Sequence, residues 1–185
     1  MAPQLFTIGH STHPLDRFLA LLEQHRMEVV ADIRRFPGSR KFPQFNRESL
    51  AASLNETGIG YHWLASLGGR RGKKANGSSL NLGLRNESFR NYADYMATEE
   101  FRQGTQELLA IAGERPTAFM CSEGLFWRCH RRLVADYLLV NGIIVRHIMP
   151  SGELRPHMLT EGAQVEAGEL TYPGSAGGHQ EIAAE

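Results

Sequence analysis

The sequence predicts an α/β fold: a single-domain, three-layer sandwich built on a mostly parallel sheet of about five strands. Three observations predict it. Short apolar runs of strand length recur along the chain, and helix-length segments with apolar residues at i, i+3, i+4 and i+7 separate them. The whole spans 185 residues, one domain's worth of chain. Strands that alternate with helices pair in parallel and are covered on both faces.

Gln4–Ile8 is the first apolar run, and Gly9-His10-Ser11-Thr12 is the turn that leaves it. Pro14 suits a first helical turn, and Leu15, Phe18, Leu19 and Leu22 follow at core-facing spacing. Residues 28–33 read as a second, buried strand. The prolines and glycine of 34–43 then forbid regular structure. Asn46 stands where it could cap a helix over 47–56, with Leu50 and Leu54 inward, and 59–64 supplies a third strand. The glycine-rich, basic stretch 67–79 is too long for a simple connection. Helices are expected at about 88–97 and 99–112, a fourth strand at 117–120, a helix at 129–140 stopped by Asn141-Gly142, and a fifth strand at 143–148. These elements make one domain over 1–160. The remainder, 161–185, reads as a loosely attached tail whose only suggestion of order is a short strand near 169–172.

Composition narrows the function classes. The chain is 42% hydrophobic and 22% charged, contains no apolar run of membrane-span length and opens without the basic and apolar regions of a signal peptide. Its two cysteines cannot make a disulfide scaffold, so a reduced, cytoplasmic protein without a membrane partner is expected. Twenty Lys and Arg balance twenty Asp and Glu, but the balance is not even along the chain. Arg34, Arg35, Arg40 and Lys41 form one basic loop. Arg70, Arg71, Lys73 and Lys74 form a second, and Arg128, Arg131 and Arg132 a third. A parallel sheet places the loops 9–13, 34–45, 65–79 and 121–129 together at the C-terminal ends of its strands, where α/β folds bind ligands. A neutral chain can thus carry one focused positive edge.

Thr7-Ile-Gly-His-Ser11, Asp32-Ile-Arg34 with Pro37 and Ser39, Leu67-Gly-Gly69, and Met120-Cys-Ser-Glu123 with Cys129-His-Arg131 occur in order along the chain. So do Phe89–Met96 and Val145–Ile148. In these motifs, over about residues 5–160, the sequence resembles domain-of-unknown-function family 488. The resemblance implies a compact α/β domain and no particular reaction.

The chemistry-bearing residues concentrate at 121–131. Cys121 reads either as a small hydrophobe closing a strand or as a reactive thiol. Cys129, beside Arg128 and His130 near a helix N-terminus, should feel a positive potential that favours thiolate. Position 127 is Trp where a cysteine phosphatase would need Arg. Glu123 is a candidate for proton transfer or for an ion pair with Arg34 or Arg131, and His10 for a general base or phosphate contact. No cofactor is expected. Zinc is disfavoured because Cys129 and His130, adjacent on a predicted helix, should diverge by about 100°. Arg34, Arg35, Arg70, Arg71, Arg128 and Arg131, with His130, are the expected phosphate holders, and Gly68 and Gly69 would let backbone amides approach. Phe36, Phe42, Phe45, Phe126 and Trp127 offer faces for bases.

An enzyme acting on a nucleic acid or nucleotide is therefore expected, with Glu123, Cys121, Cys129 and His10 as its candidate catalytic residues. A noncatalytic module for the same ligands is the alternative. A cysteine-dependent redox or metal-binding protein is a third reading.

Overall fold

The computed structural model describes residues 4–73 and 78–174. All five expected strands are present: β1 (Gln4–Gly9), β2 (Val29–Asp32), β3 (Gly60–Trp63), β4 (Thr117–Cys121) and β5 (Ile144–Ile148). All five helices are present too: α1 (Leu15–Gln24), α2 (Arg47–Glu56), α3 (Glu87–Met96), α4 (Glu99–Glu114) and α5 (Arg131–Val140). A sixth strand, β6 (Leu154–Pro156), runs antiparallel to β5 and completes a sheet of order β3-β2-β4-β1-β5-β6. Three residues ending in proline give no periodic signal, and proline is tolerated because β6 is an edge strand.

Alternation along β4 explains the layers. Ala118 and Met120 point to one face, where they join Ile8, Val30 and Ile148 against Phe18, Leu21 and Leu22 of α1 and Leu50 and Leu54 of α2. Phe119 and Cys121 point to the other face and pack with α3, α4 and α5 through Tyr92, Phe101 and Leu133. Every residue of β4 is buried, as a central parallel strand requires. The layering also directs the chain leaving the sheet. β1 and β2 lead to helices on one face, β3 and β4 to helices on the other. Since the strand order is β3-β2-β4-β1, neighbouring strands send their loops apart and open a crevice at their C-terminal ends.

Two of three candidate cap residues cap their helices. Asn86 and Thr98 accept backbone amides at the starts of α3 and α4. Asn46 does not cap α2: its Oδ1 accepts the Ser39 amide at 2.6 Å and ties down the loop that follows β2.

The stretch after residue 160, expected to be loosely attached, is anchored as far as it is described. β7 (Gln164–Glu166) and β8 (Glu169–Thr171) form a hairpin whose two turn residues, Ala167 and Gly168, both have positive φ. Tyr172 follows, 1% exposed, its hydroxyl donating to Asp136 of α5 at 2.7 Å and its amide to Asn81 at 3.0 Å. Residues 175–185 of that stretch, and Lys74 of the second basic loop, lie outside the described residues.

Candidate functional site

Four loops and one helix enclose a cavity of about 640 Å³ at the C-terminal edge of the sheet. The loop after β1 contributes His10 and Ser11, and the loop after β2 contributes Arg34, Arg35, Phe36 and Phe42. The loop after β3 adds Gly69 and Arg70, the loop after β4 runs from Cys121 to His130, and α3 brings Phe89 and Tyr92. The register explains the convergence: Gly9 lies beside Cys121, and Asp32 lies between Met120 and Trp63.

Arg34 is buried and its charge is met directly. Its Nε and Nη2 donate to Asp32 at 2.9 and 2.6 Å, and Tyr61 donates to the same carboxylate at 2.7 Å. Arg34 Nη1 lies 3.3 Å from His10 Nε2, and His10 Nδ1 lies 2.9 Å from the Ser11 carbonyl. The donors on one side and the carbonyl on the other assign His10 as the neutral Nδ1–H tautomer. Burial in particular, with Arg34 beside it, lowers its pKa to about 4. His10 also stacks on Phe45, ring centroids 4.2 Å apart. Both ring nitrogens of this residue, expected as a general base or phosphate contact, are thus engaged, one of them by Arg34.

The floor is formed by Cys121, Cys129 and His130. Their ligating atoms lie within 4.8 Å of one another. His130 Nδ1 is 3.9 Å from Cys121 Sγ and 3.6 Å from Cys129 Sγ, while Nε2 faces the Ile33 carbonyl at 3.3 Å. The expected divergence of Cys129 and His130 does not occur. α5 begins only at Arg131; Cys129 is extended (φ −126°, ψ 150°) after a 3-10 turn at Phe126–Arg128, and His130 is the N-cap. An extended residue followed by a helix cap turns the two side chains to one point. Both thiols are free and buried. The Cys129 hydrogen bond and burial push the Cys121 thiol upward. Burial alone would also raise Cys129, but the bond from Cys121, the Arg131 charge and the Arg131 backbone amide outweigh it and bring Cys129 down to about 6.

Beneath the floor lies a buried chain of hydrogen bonds. Arg131, 1% exposed, donates to Thr7 Oγ1 at 2.9 Å and to the Glu123 carbonyl. Thr7 Oγ1 is 2.8 Å from His147 Nδ1, His147 Nε2 is 2.9 Å from His157 Nδ1, and His157 Nε2 is 2.8 Å from Asp136 Oδ1. The chain thus runs from a guanidinium donor, Arg131, to a carboxylate acceptor, Asp136. Burial lowers the His147 pKa to about 2, which keeps this ring neutral, and Phe126 stacks flat on it at 3.6 Å.

Most of the residues singled out in the sequence meet at the cavity: His10, Arg34, Arg35, Gly69, Arg70, Cys121, Glu123, Arg128, Cys129 and His130. Three do not. Arg71 turns away to the carbonyls of Ala65, Ser66 and Gly68 and lies over the Tyr95 ring at 3.6 Å. Arg131 is under the floor. Gly68 packs on the Arg35 backbone, with no room for a Cβ. Nor does Glu123 pair with Arg34 or Arg131: its carboxylate accepts the Leu125 amide at 3.2 Å. Of the aromatic residues, Phe36 (67% exposed) and Phe42 line the cavity; Phe45 and Phe126 are spent on His10 and His147, and Trp127 faces solvent outside it. Ser11, Ser122, Phe89 and Tyr92 were not anticipated as lining residues. The Thr7–His147–His157–Asp136 chain was not anticipated either, although strand alternation places His147 inward beside Val145.

Among the described residues no helix is long and apolar enough to cross a membrane. The sequence profile of a family described as domain of unknown function DUF488 matches residues 14–138. No curated protein and no solved structure matches the chain.

Proposed function

We propose that this chain, which belongs to the DUF488 family, is an enzyme that acts on one nucleotide unit, either free or presented by a nucleic-acid strand. The observation that carries the reading is the charge at the cavity mouth. Arg35, Arg70 and Arg128 line it, and no carboxylate among the described residues is within ion-pair distance of any of them. Glu123 is the single carboxylate of the lining. Three cations against one acid favour an anion, and guanidinium forks suit phosphate.

The remaining lining suits the rest of a nucleotide. A cavity of about 640 Å³ falls within the range of small-ligand sites, and Phe36, Phe42 and Phe89 offer faces for a base. Arg35 Nη1 donates to the Arg70 carbonyl at 2.8 Å, so the two basic loops are held to each other across the mouth. Glu123, reachable from the cavity, is the group placed for proton transfer, and Cys121, Cys129 and His130 lie below the reacting centre.

Binding of a labelled nucleoside monophosphate, single-stranded DNA and RNA, and the corresponding duplexes tests the ligand class. Binding of the monophosphate with strands as weak competitors identifies a free nucleotide. Preference for strands identifies a base extruded into the cavity. Failure of every probe rejects the reading. Glu123→Gln should abolish turnover of any substrate found while leaving its binding intact; undiminished turnover removes Glu123 from its role.

A further inference from the structure

We infer that Cys121, Cys129 and His130 form a binding site for a zinc-class divalent cation, with its fourth coordination position open to the cavity. The inference does not depend on the ligand being a nucleotide. Donor chemistry comes first: two thiolates and one imidazole are the ligand set that borderline and soft cations prefer over magnesium or calcium.

Geometry is the second support. Zinc bonds of about 2.3 Å to sulfur and about 2.0–2.1 Å to nitrogen, arranged tetrahedrally, place S and N about 3.6 Å apart. The two S···N separations are 3.6 and 3.9 Å and share one nitrogen, His130 Nδ1. All three donor atoms lie within 4.8 Å of one another, so a convergent movement of the cysteine side chains brings them to bonding distance.

The surroundings orient that nitrogen. His130 Nε2–H donates to the Ile33 carbonyl at 3.3 Å, which leaves the Nδ1 lone pair for a cation, and a second-layer carbonyl is the partner that metal-bound histidines characteristically have. Two neighbours pack against the ring. Tyr92 meets it edge-on at 4.9 Å. On Gly69 an added Cβ would lie 2.9, 3.2 and 3.3 Å from Nδ1, Cγ and Cε1, distances of an atom above the ring face rather than in its plane. Gly69 therefore crowds the face and leaves the in-plane lone pair clear. Cys129 Sγ accepts the Arg131 amide at 3.5 Å, at the first turn of α5.

Three protein ligands and an opening onto a cavity match the pattern of catalytic rather than structural zinc sites, in which the fourth ligand is water or substrate. Both cysteines and His130 line the cavity, so such a water would face the space below Arg35, Arg70 and Arg128.

The test uses the full chain, reduced with a non-thiol reductant, stripped with a chelator, and titrated with Zn²⁺ and Co²⁺. The expected result is one equivalent bound, with a thiolate-to-cobalt charge-transfer band and the intense visible bands of a tetrahedral cobalt site. Cys121→Ser and Cys129→Ser should each weaken that band, and the double variant should lose it. A readout that needs no variant is alkylation: Zn²⁺ should protect both thiols, and removal should expose them. Gly69→Ala should weaken binding by about 10–100-fold by displacing the ring. Wild-type chain that takes up no metal when reduced overturns the inference, as does unaltered binding in both cysteine variants or alkylation at the same rate with and without Zn²⁺. Arg70→Ala/Arg128→Ala should bind the metal normally, so loss of nucleotide binding and loss of metal binding report separately.

Discussion

At the scale of single residues, burial decides what the site's ionisable groups can do. His10 and His147 are held neutral chiefly by desolvation, with pKa values down to about 4 and about 2. Below the ordinary histidine value of about 6.5 the unfolded chain takes protons that these two folded residues refuse, so stability must fall as pH falls. The contribution is complete above about pH 6.5 and erodes at up to about 1.4 kcal/mol per pH unit for each histidine. His10 stops contributing to the slope below about pH 4, and His147 continues to about pH 2. Urea unfolding at about pH 7 and about pH 5 checks this, and equal stability at the two pH values would contradict it. Residue identity in the sequence carried the candidates but not their partners. Arg34 and Arg71 look alike in their basic loops, yet one is paired with Asp32 and the other is held by loop carbonyls and Glu100. Only tertiary contacts separate them from Arg70 and Arg128.

At the scale of elements, the β4–α5 connection is where local structure becomes chemistry. Gly9 is pressed against it: a Cβ there would collide with the Glu123 carbonyl and crowd Arg131. Gly9→Ala should therefore cost about 1–3 kcal/mol and disturb the cysteine floor at the same time. Thermal melts together with cobalt spectra would show whether both change; a variant as stable as wild type with an intact spectrum contradicts the tight packing of that turn. The hairpin after residue 160 is tied to α5 by Tyr172 and Asp136. Tyr172→Phe removes one hydrogen bond to a buried carboxylate and should cost about 1–3 kcal/mol. Deleting 161–185 should cost more, and unchanged urea stability after that deletion would show that the hairpin contributes nothing to the fold. Periodicity made α1 to α5 and β1 to β5 legible to within a residue or two. It failed at α5's first turn, where an apolar run beginning after His130 does not reveal that Cys129 is extended. It failed again at β6 and β7, which are three residues each and are defined by pairing rather than by pattern, whereas the short strand suggested near 169–172 is β8.

At the scale of the molecule, a chain of zero net charge lines one end of its sheet with three arginines, Arg35, Arg70 and Arg128, that have no ion-pair partner among the described residues. Alternation of strands and helices was enough to place four loops on one edge, since parallel strands all end there. Strand order was not legible, because it depends on which crossover packs over which strand. Without it the adjacency of β1 and β4, which brings His10 beside Cys121, could not be read. The most direct test of the proposed phosphate-binding edge is the salt dependence of affinity for the tightest nucleotide or strand found, measured for wild type and for Arg70→Ala/Arg128→Ala. Log affinity should fall linearly with log salt for wild type, and the double variant should bind more weakly with a slope shallower by roughly one per arginine for a strand. An affinity independent of salt, or a double variant indistinguishable from wild type, would contradict the assignment of this edge to phosphate.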